Sequence, residues 1–138
     1  MNKNTVEAKV KVRYAETDQM GVVYHSNYLI WFEVGRSEYF RAIDCPYVDL
    51  EDKGIFFPVI EASCRYRYPA RYGDTIVIQT TISKIKPTRI KLEYSLVREK
   101  DNKLLAEGYT THAFVSKEGK PFNISKTHPF IWEKINQG

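Results

Sequence analysis

The sequence predicts an α+β fold in which an antiparallel sheet of about five strands is covered by one long helix. Residues 6–12 alternate apolar and charged side chains with a period of two, which is typical of a half-buried strand. An almost continuous apolar run over residues 28–34 indicates a helix that is buried on most sides. After residue 55, strand-like segments follow one another through short turns, which favours antiparallel pairing.

The long helix is predicted to begin after a Ser26 or Asn27 cap and to end near residues 42–44, before Cys45-Pro46. Gly35 is costly inside a helix, so we expect another part of the backbone to approach closely there. A short helical turn is expected at residues 47–53. Strands are predicted over four further segments, namely residues 56–68, 75–85, 89–98 and 104–116. A last, weakly patterned helix is expected at residues 125–135.

Length and composition indicate one globular domain spanning residues 1–138, with aromatic residues making up 14% of the chain. The formal net charge of +4 is a mild basic bias, compatible with an anionic partner. Cys45 and Cys64 form no C-x-x-C motif and are expected to be free thiols. Residues 1–4 do not resemble a signal peptide, and no apolar run reaches the ~18 residues of a membrane span. We therefore expect a cytoplasmic protein.

The stretch between the first strand and the long helix, residues 14–28, brings an acid and an imidazole close to a helix N-terminus. Asp18 and Gly21 precede His25, and Ser26 or Asn27 supplies the cap. Unpaired N–H groups and the helix dipole favour developing negative charge there, so the arrangement suits acyl chemistry through an oxyanion. The alternative interpretation is an ordinary strand-to-helix turn, with Asp18 as turn former and His25 as a surface residue.

This stretch resembles the signature of the 4-hydroxybenzoyl-CoA thioesterase family. The matching residues are Tyr14, Asp18, Gly21, Val22, Val23, Tyr24, His25, Asn27 and Tyr28. A second match, over residues 68–74, is similar to the Pro-Ala turn between strands of that family. The resemblance covers residues 6–115. With a histidine at position 25, the motif most resembles that of the bacterial branch of short acyl-CoA thioesterases often called tol-pal system-associated.

The resemblance implies a hot-dog fold, with the sheet wrapped around the long central helix. It implies hydrolysis of an acyl-CoA, short-chain or aromatic in its acyl group, to free acid and CoA. CoA is then part of the substrate, and neither a cofactor nor a metal is implied. The resemblance also implies a homodimer or homotetramer with active sites at the subunit boundary. A single helix cannot cover about five strands, which independently favours an oligomer.

By resemblance Asp18 is the catalytic carboxylate, acting as general base on water or attacking the thioester carbonyl itself. His25 is expected to polarise the carbonyl, position water or protonate the leaving thiolate, with packing or capping as the alternative. Tyr14 is expected to orient the site through its hydroxyl or else to pack in the core. Glu16 is expected to be exposed.

Substrate contacts are expected near the start of the helix and in a basic cluster around the strand turns. Peptide N–H groups from Val23 through Tyr24 to Asn27 are candidate oxyanion donors, while Asn27 and Tyr28 also fit a cap and a core role. The phosphates of CoA require Lys or Arg, and Arg89, after Pro87-Thr88, is the favoured contact.

Two rival functions remain open from the sequence. A hot-dog hydratase or dehydratase would act on acyl thioesters with His25 as base and Asp18 assisting. A single-stranded nucleic-acid binder is suggested by the alternation of Arg and Tyr over residues 65–72. Strand alternation would place those Arg and Tyr side chains on opposite faces, whereas a stacking platform needs them together. We therefore expect no nucleic-acid partner.

Overall fold

The computed structural model describes residues 4–137, and its strands form one antiparallel sheet of five strands. The strand order across the sheet is β1-β3-β4-β5-β2. Every pairing between neighbours is antiparallel. The strands are β1 (Val6–Lys11), β2 (Val59–Tyr66), β3 (Thr75–Lys86), β4 (Arg89–Arg98) and β5 (Lys103–Ala113). The predicted antiparallel sheet of about five strands is confirmed, and β1 and β2 are its two edges.

Among the described residues, four α-helices accompany the sheet: α1 (Ser26–Ala42), α2 (Tyr47–Asp52), α3 (Ile124–Thr127) and α4 (Pro129–Gln137). The 17-residue α1 contacts β1, β3 and β4. Its Phe32 stacks on Tyr94 of β4, with ring centroids 4.3 Å apart. A β-carbon at Gly35 would overlap the side chains of Thr80 and Ile78, so this glycine lets α1 sit close to β3. The expected close approach exists, although side chains rather than backbone make it.

The C-terminal helix predicted at residues 125–135 is two helices. Asn123 caps α3 by accepting hydrogen bonds from the N–H groups of Ser125 and Lys126 at 3.0 and 3.2 Å. Pro129 is the first residue of α4, a position where its missing N–H has no intrahelical role. A proline in the middle of a helical pattern therefore marked a boundary.

The second strand differs most from its prediction, because it begins at Val59 rather than at residue 56 and is exposed along most of its length. The side chains that alternate along it from Ile60 are exposed too, with Ile60 at 48% and Tyr66 at 46%, and within the strand only Cys64 is half-buried. The strand lies at the sheet edge furthest from β1, and α1 makes its main sheet contacts with β1, β3 and β4. Within residues 4–137 no helix is long and apolar enough to cross a membrane.

Candidate active site

A short hairpin carries Asp18 between β1 and α1. Thr17 pairs with Val23 across it, and the Asp18 N–H donates to the carbonyl of Val22 at 2.8 Å. The Gly21 N–H donates to the Asp18 carbonyl at 3.0 Å. Gly21 has φ +81°, in the left-handed region that favours glycine. The glycine of the sequence motif is therefore needed for the turn that presents Asp18.

The carboxylate of Asp18 is exposed and is held by one of its two oxygens. Its Oδ1 accepts the N–H groups of Met20 at 2.8 Å and of Val22 at 3.4 Å. This is the side chain-to-backbone bonding of a turn former. The other oxygen, Oδ2, has no partner among residues 4–137 and can accept from water or approach a carbonyl carbon. The turn-forming and catalytic interpretations of Asp18 are therefore compatible, since they use different oxygens.

The backbone at the start of α1 leaves two N–H groups without an acceptor. His25 occupies the N-cap position and makes no side-chain capping bond. Three neighbouring N–H groups donate to backbone carbonyls, those of Val23, Tyr24 and Asn27. The N–H groups of His25 and Ser26 find no partner in the described part of the chain. A helix N-terminus with unpaired donors favours an anion, so these two N–H groups are the remaining candidates of the predicted set of oxyanion donors.

The imidazole of His25 is exposed and lies among aromatic rings. Its centroid is 4.5 Å from the Tyr24 ring and 6.3 Å from the Tyr66 ring, and the Tyr66 hydroxyl donates to the His25 carbonyl at 3.3 Å. An open cavity of about 240 Å³ is lined by Val23, His25, Tyr28, Tyr66, Arg67, Tyr68 and Pro69. Asp18 is not part of this lining, so the cavity and the carboxylate are neighbouring features joined by residues 18–25 of the chain.

Asn27 and Tyr28 fix the start of α1 against the surrounding turns. The Asn27 Nδ2 donates to the Glu16 carbonyl at 3.0 Å. Tyr28 is buried, and its hydroxyl accepts the N–H of Ala70 at 3.0 Å, within the Pro-Ala turn. Burial raises the pKa of this phenol. Tyr28 joins the two sequence motifs, whereas Asn27 ties the start of α1 to Glu16 within the first motif. Both contacts fit the positioning roles that are the alternative to substrate contact.

Tyr14 and Glu16 lie on the opposite sides of the chain from those expected. A 3-10 turn over Tyr14–Glu16 leaves Tyr14 77% exposed, with its ring edge-on to Tyr72 at 5.8 Å. The same turn buries Glu16, whose carboxylate accepts the Arg13 N–H at 2.8 Å. The expectations of a core Tyr14 and an exposed Glu16 are therefore wrong in this chain. The 3-10 turn over these three residues points Tyr14 to solvent and Glu16 inward, the opposite of the orientation expected for each.

Arg89 is exposed at the first residue of β4, far from Asp18 in the same chain. Val22, beside Asp18, bridges to Arg71 just before β3 begins, whereas Arg89 pairs with Lys86 where β3 ends. At ~3.3 Å per residue, the 12 residues of β3 separate the two positions by roughly 36 Å. Arg89 lines a cavity of about 230 Å³ together with Lys84, Lys86 and Lys91. The predicted site residues thus form two groups at opposite ends of the sheet.

Sequence reasoning missed Tyr66 as a neighbour of the site. Its ring lies edge-on to Tyr28 at 5.1 Å and faces His25. The sequence pattern places this residue only within the predicted strand of residues 56–68. Tyr66 lies near the end of β2, beside the N-terminus of α1. That position depends on the pairing of β2 with β5, and the alternation within one strand does not specify which strands pair.

The chain matches a family model described as the thioesterase-like superfamily over residues 12–131. It is 38% identical over 122 residues to YneP of Bacillus subtilis (strain 168), provisionally named an acyl-CoA thioesterase, with 88% of each chain covered. It is 33% identical over 107 residues to YbgC of Escherichia coli O6:H1, named an acyl-CoA thioester hydrolase, with 78% of this chain and 79% of that protein covered.

Its structure is similar to that of a DHNA-CoA thioesterase from Staphylococcus aureus, with a TM-score of 0.91 and 31% sequence identity. The superposition covers 96% of this chain and 89% of that one. The five-stranded sheet with its 17-residue helix is therefore a thioesterase arrangement, in agreement with the fold expected from the resemblance.

Proposed function

This chain belongs to the thioesterase-like superfamily, and from that membership we propose how it works as an acyl-CoA thioesterase that releases free acid and CoA. One observation supports the chemistry most directly. A carboxylate with one unpartnered oxygen, on Asp18, is carried by the hairpin that leads into a helix whose first two N–H groups, on His25 and Ser26, have no acceptor. A base or nucleophile and an oxyanion site are the two parts that thioester hydrolysis requires.

Two routes through Asp18 are chemically balanced. As a general base, its Oδ2 takes a proton from water while the water oxygen bonds to the thioester carbon. The tetrahedral intermediate then expels the thiolate, which gains a proton. As a nucleophile, Oδ2 bonds to the same carbon, and the C–S bond breaks to release the CoA thiolate and leave a mixed anhydride. Water then hydrolyses that anhydride to the free acid and the Asp18 carboxylate, and the proton set free goes to the thiolate. Both routes place negative charge on the carbonyl oxygen, which the N–H groups of His25 and Ser26 would stabilise by donating hydrogen bonds.

We propose that the protein works as a homodimer formed through β2. Three large apolar side chains of this edge strand are about half exposed, those of Val59, Ile60 and Tyr66. An edge strand with free N–H and carbonyl groups pairs readily with another chain, and exposed apolar surface marks a contact. A two-fold axis beside β2 would pair it with its own copy in antiparallel fashion and join the two sheets.

This pairing would build each active site from two subunits. In an antiparallel β2 pair, the start of one strand lies beside the end of the other. Tyr66 at the end of β2 contacts His25, and Phe57 and Pro58 directly precede the start of β2. Residues 57 and 58 of one copy would then lie next to His25 and Tyr66 of the other. This arrangement supports the expectation of sites at the subunit boundary.

We propose that the basic cavity at Arg89 receives the phosphates of a CoA whose thioester lies at another subunit's Asp18. Arg89 and the three lysines that line the cavity with it supply the charge. The ~36 Å along β3 is longer than an extended phosphopantetheine arm, so the same chain cannot supply both ends. One acyl-CoA bound by residues of two subunits is a second reason for the subunits to assemble, whether as a dimer or as a tetramer.

Two narrower assignments complete the proposal. Cys45 and Cys64 are free thiols, which supports a reducing, cytoplasmic location. His25, together with the identity to YbgC, supports the tol-pal system-associated branch of short acyl-CoA thioesterases.

The substitution Asp18→Asn tests the chemistry, because it removes the basic oxygen and keeps an Oδ1 for the N–H of Met20. We expect kcat with a short acyl-CoA to fall on the order of 10²-fold or more, the lower range for general-base catalysis. The thermal midpoint should be nearly unchanged, and His25→Ala should lower kcat by a smaller factor. Release of free thiol, followed with a chromogenic thiol reagent, measures the reaction.

Asp74→Asn is the matched control, since Asp74 also holds a turn by accepting a backbone N–H, that of Arg71 at 2.9 Å. It should keep its activity. An active Asp18→Asn with an inactive His25→Ala would reverse the two roles. A wild-type protein that hydrates or dehydrates the acyl chain without releasing thiol would contradict hydrolysis and establish the hydratase alternative.

A further inference from the structure

A third cavity, of about 360 Å³, opens between α1, α2 and the segment before β2. Its lining consists of Arg36, Tyr47, Glu51, Ile55, Phe56, Phe57, Pro58, Val115, Ser116, Lys117 and Gly119. Most of these groups are apolar or backbone. The charged ones other than Arg36, namely Glu51 and Lys117, are exposed and opposite in sign. Among the charged lining residues, Arg36 is therefore the one that is not exposed, and it gives the cavity interior a positive charge.

The guanidinium of Arg36 has no carboxylate within 4.0 Å in the described part of the chain. Its Nη1 donates to the hydroxyl of Tyr94 at 3.4 Å, a neutral acceptor and a long bond. Arginine carries five N–H donors and stays charged at all physiological pH values. A half-buried cation without a counter-charge is destabilising, so this site gains most from a ligand that brings a negative charge.

Buried hydrogen bonds fix the walls of this cavity. The imidazole of His112 bonds the carbonyl of Phe57 through Nδ1 and the hydroxyl of Thr110 through Nε2, both at 2.8 Å. Thr110 in turn bonds the hydroxyl of Tyr94, which accepts from Arg36. The chain of contacts runs from the cavity rim to the guanidinium. Arg36 is therefore held in place before a ligand arrives, which lowers the cost of binding.

Tyr47 adds an unused donor to the same cavity. Its ring packs on Phe57 and Phe40, with centroids 5.0 and 5.8 Å away. Its hydroxyl is buried and lies beside the guanidinium of Arg36, which can only donate, so its own O–H finds no acceptor among residues 4–137. Buried hydroxyl groups nearly always have a partner, so a ligand acceptor is the partner that this phenol lacks. The phenol and the guanidinium lie on the lining of one cavity and can meet one ligand group together.

The place of this cavity follows from the proposed function and its β2 pairing, on which the inference rests. Phe57 and Pro58 line it, and the pairing would bring them beside the partner subunit's His25. The cavity would then continue from the reacting carbonyl of the partner's site. It lies on the acyl side, because the phosphates of CoA are assigned to the basic cavity around Arg89.

We propose that Arg36 and Tyr47 form an acyl-group subsite that selects an acyl chain ending in a carboxylate. A carboxylate offers two oxygens that match the planar N–H fork of arginine, and it supplies the missing negative charge. A neutral phenol or alkyl end offers one acceptor or none. The preferred substrates are therefore ω-carboxyacyl-CoA thioesters of a length that spans from the thioester to Arg36.

The test compares kcat/KM of the wild-type enzyme for matched pairs of acyl-CoA thioesters. Succinyl-, glutaryl- and adipoyl-CoA are each compared with the uncharged acyl chain of equal carbon number, and 4-carboxybenzoyl-CoA with benzoyl- and 4-hydroxybenzoyl-CoA. At least one carboxylated substrate should exceed its uncharged partner by roughly 10- to 100-fold, the range for a hydrogen bond to a charged group. Equal values in every pair, or a preference for the hydroxyl, would overturn the proposal.

The variant Arg36→Met should abolish the preference, mainly by raising KM for the carboxylated member, and Arg36→Lys should keep part of it. Arg41→Met is the matched control, since Arg41 is an exposed arginine of the same helix that pairs with Glu38. Tyr47→Phe should reduce the preference and decides the matter if Arg36→Met does not fold. A preference that survives both substitutions would overturn the subsite. A wild-type enzyme that releases thiol from none of the substrates would overturn the proposed function itself.

Discussion

Lowering the pH from 7 to 5 should destabilise the protein through His112. This side chain is fully buried, and burial lowers its pKa to about 4, while hydrogen bonding to Phe57 acts in the opposite direction. The reference pKa in an unfolded chain is ~6.5. Between these values the unfolded chain binds a proton that the folded chain does not, so stability is complete above ~6.5 and falls as the pH approaches 4. With ~1.36 kcal/mol per pKa unit, the loss at pH 5 is about 2 kcal/mol.

Urea denaturation at pH 7 and pH 5, at one fixed protein concentration, measures this loss. The variant His112→Gln keeps polar atoms near Phe57 and Thr110 but cannot titrate in this range. It should be less stable than wild type at pH 7, yet its free energy of unfolding should change much less between the two pH values. If wild type and variant lose the same free energy, other groups cause the pH dependence and the reasoning from burial is refuted.

Two further predictions concern assembly and CoA binding. Ile60→Glu should convert the proposed oligomer to monomers in sedimentation velocity at micromolar concentration, whereas Phe130→Glu, at an exposed apolar residue of α4, should leave it assembled. A monomeric wild-type protein would refute the β2 pairing. Arg89→Ala should raise KM for an acyl-CoA more than for the same acyl group on a thiol without nucleotide, and Arg41→Ala should change neither. Equal effects of Arg89→Ala on both substrates would mean that Arg89 only holds the sheet.

Much of the fold was predictable because its signals are local. The alternation in β1 and the apolar run of α1 each reflect one element packed on one core. The end of α1 at Ala42 follows from the Cys45-Pro46 step. The turn at Asp18 was also predictable, since a glycine at position 21 permits the φ of +81° that the hairpin needs. These features depend on residues that are close in the sequence.

The remaining features depend on contacts between distant residues. Alternation in residues 60–68 indicates a strand, but not that the strand lies at an edge with both faces exposed. The burial of Glu16 depends on a 3-10 turn that the residue types do not require. The approach of Tyr66 to His25 and the separation of Arg89 from Asp18 follow from strand order and polarity. Period and propensity do not specify these long-range relations.

Strand polarity also explains why the proposed chemistry calls for more than one chain. The free donors of His25 and Ser26 lie at one end of the sheet, and the basic cavity of Arg89 and the cavity of Arg36 open toward the other. They stay apart within one chain, since the ten residue pairs that join β3 and β4 lie between them, with one register shift between Ile82 and Lys84. Antiparallel pairing of two β2 strands reverses one sheet relative to the other. The acyl cavity of each subunit would thereby meet the hairpin that carries its partner's Asp18.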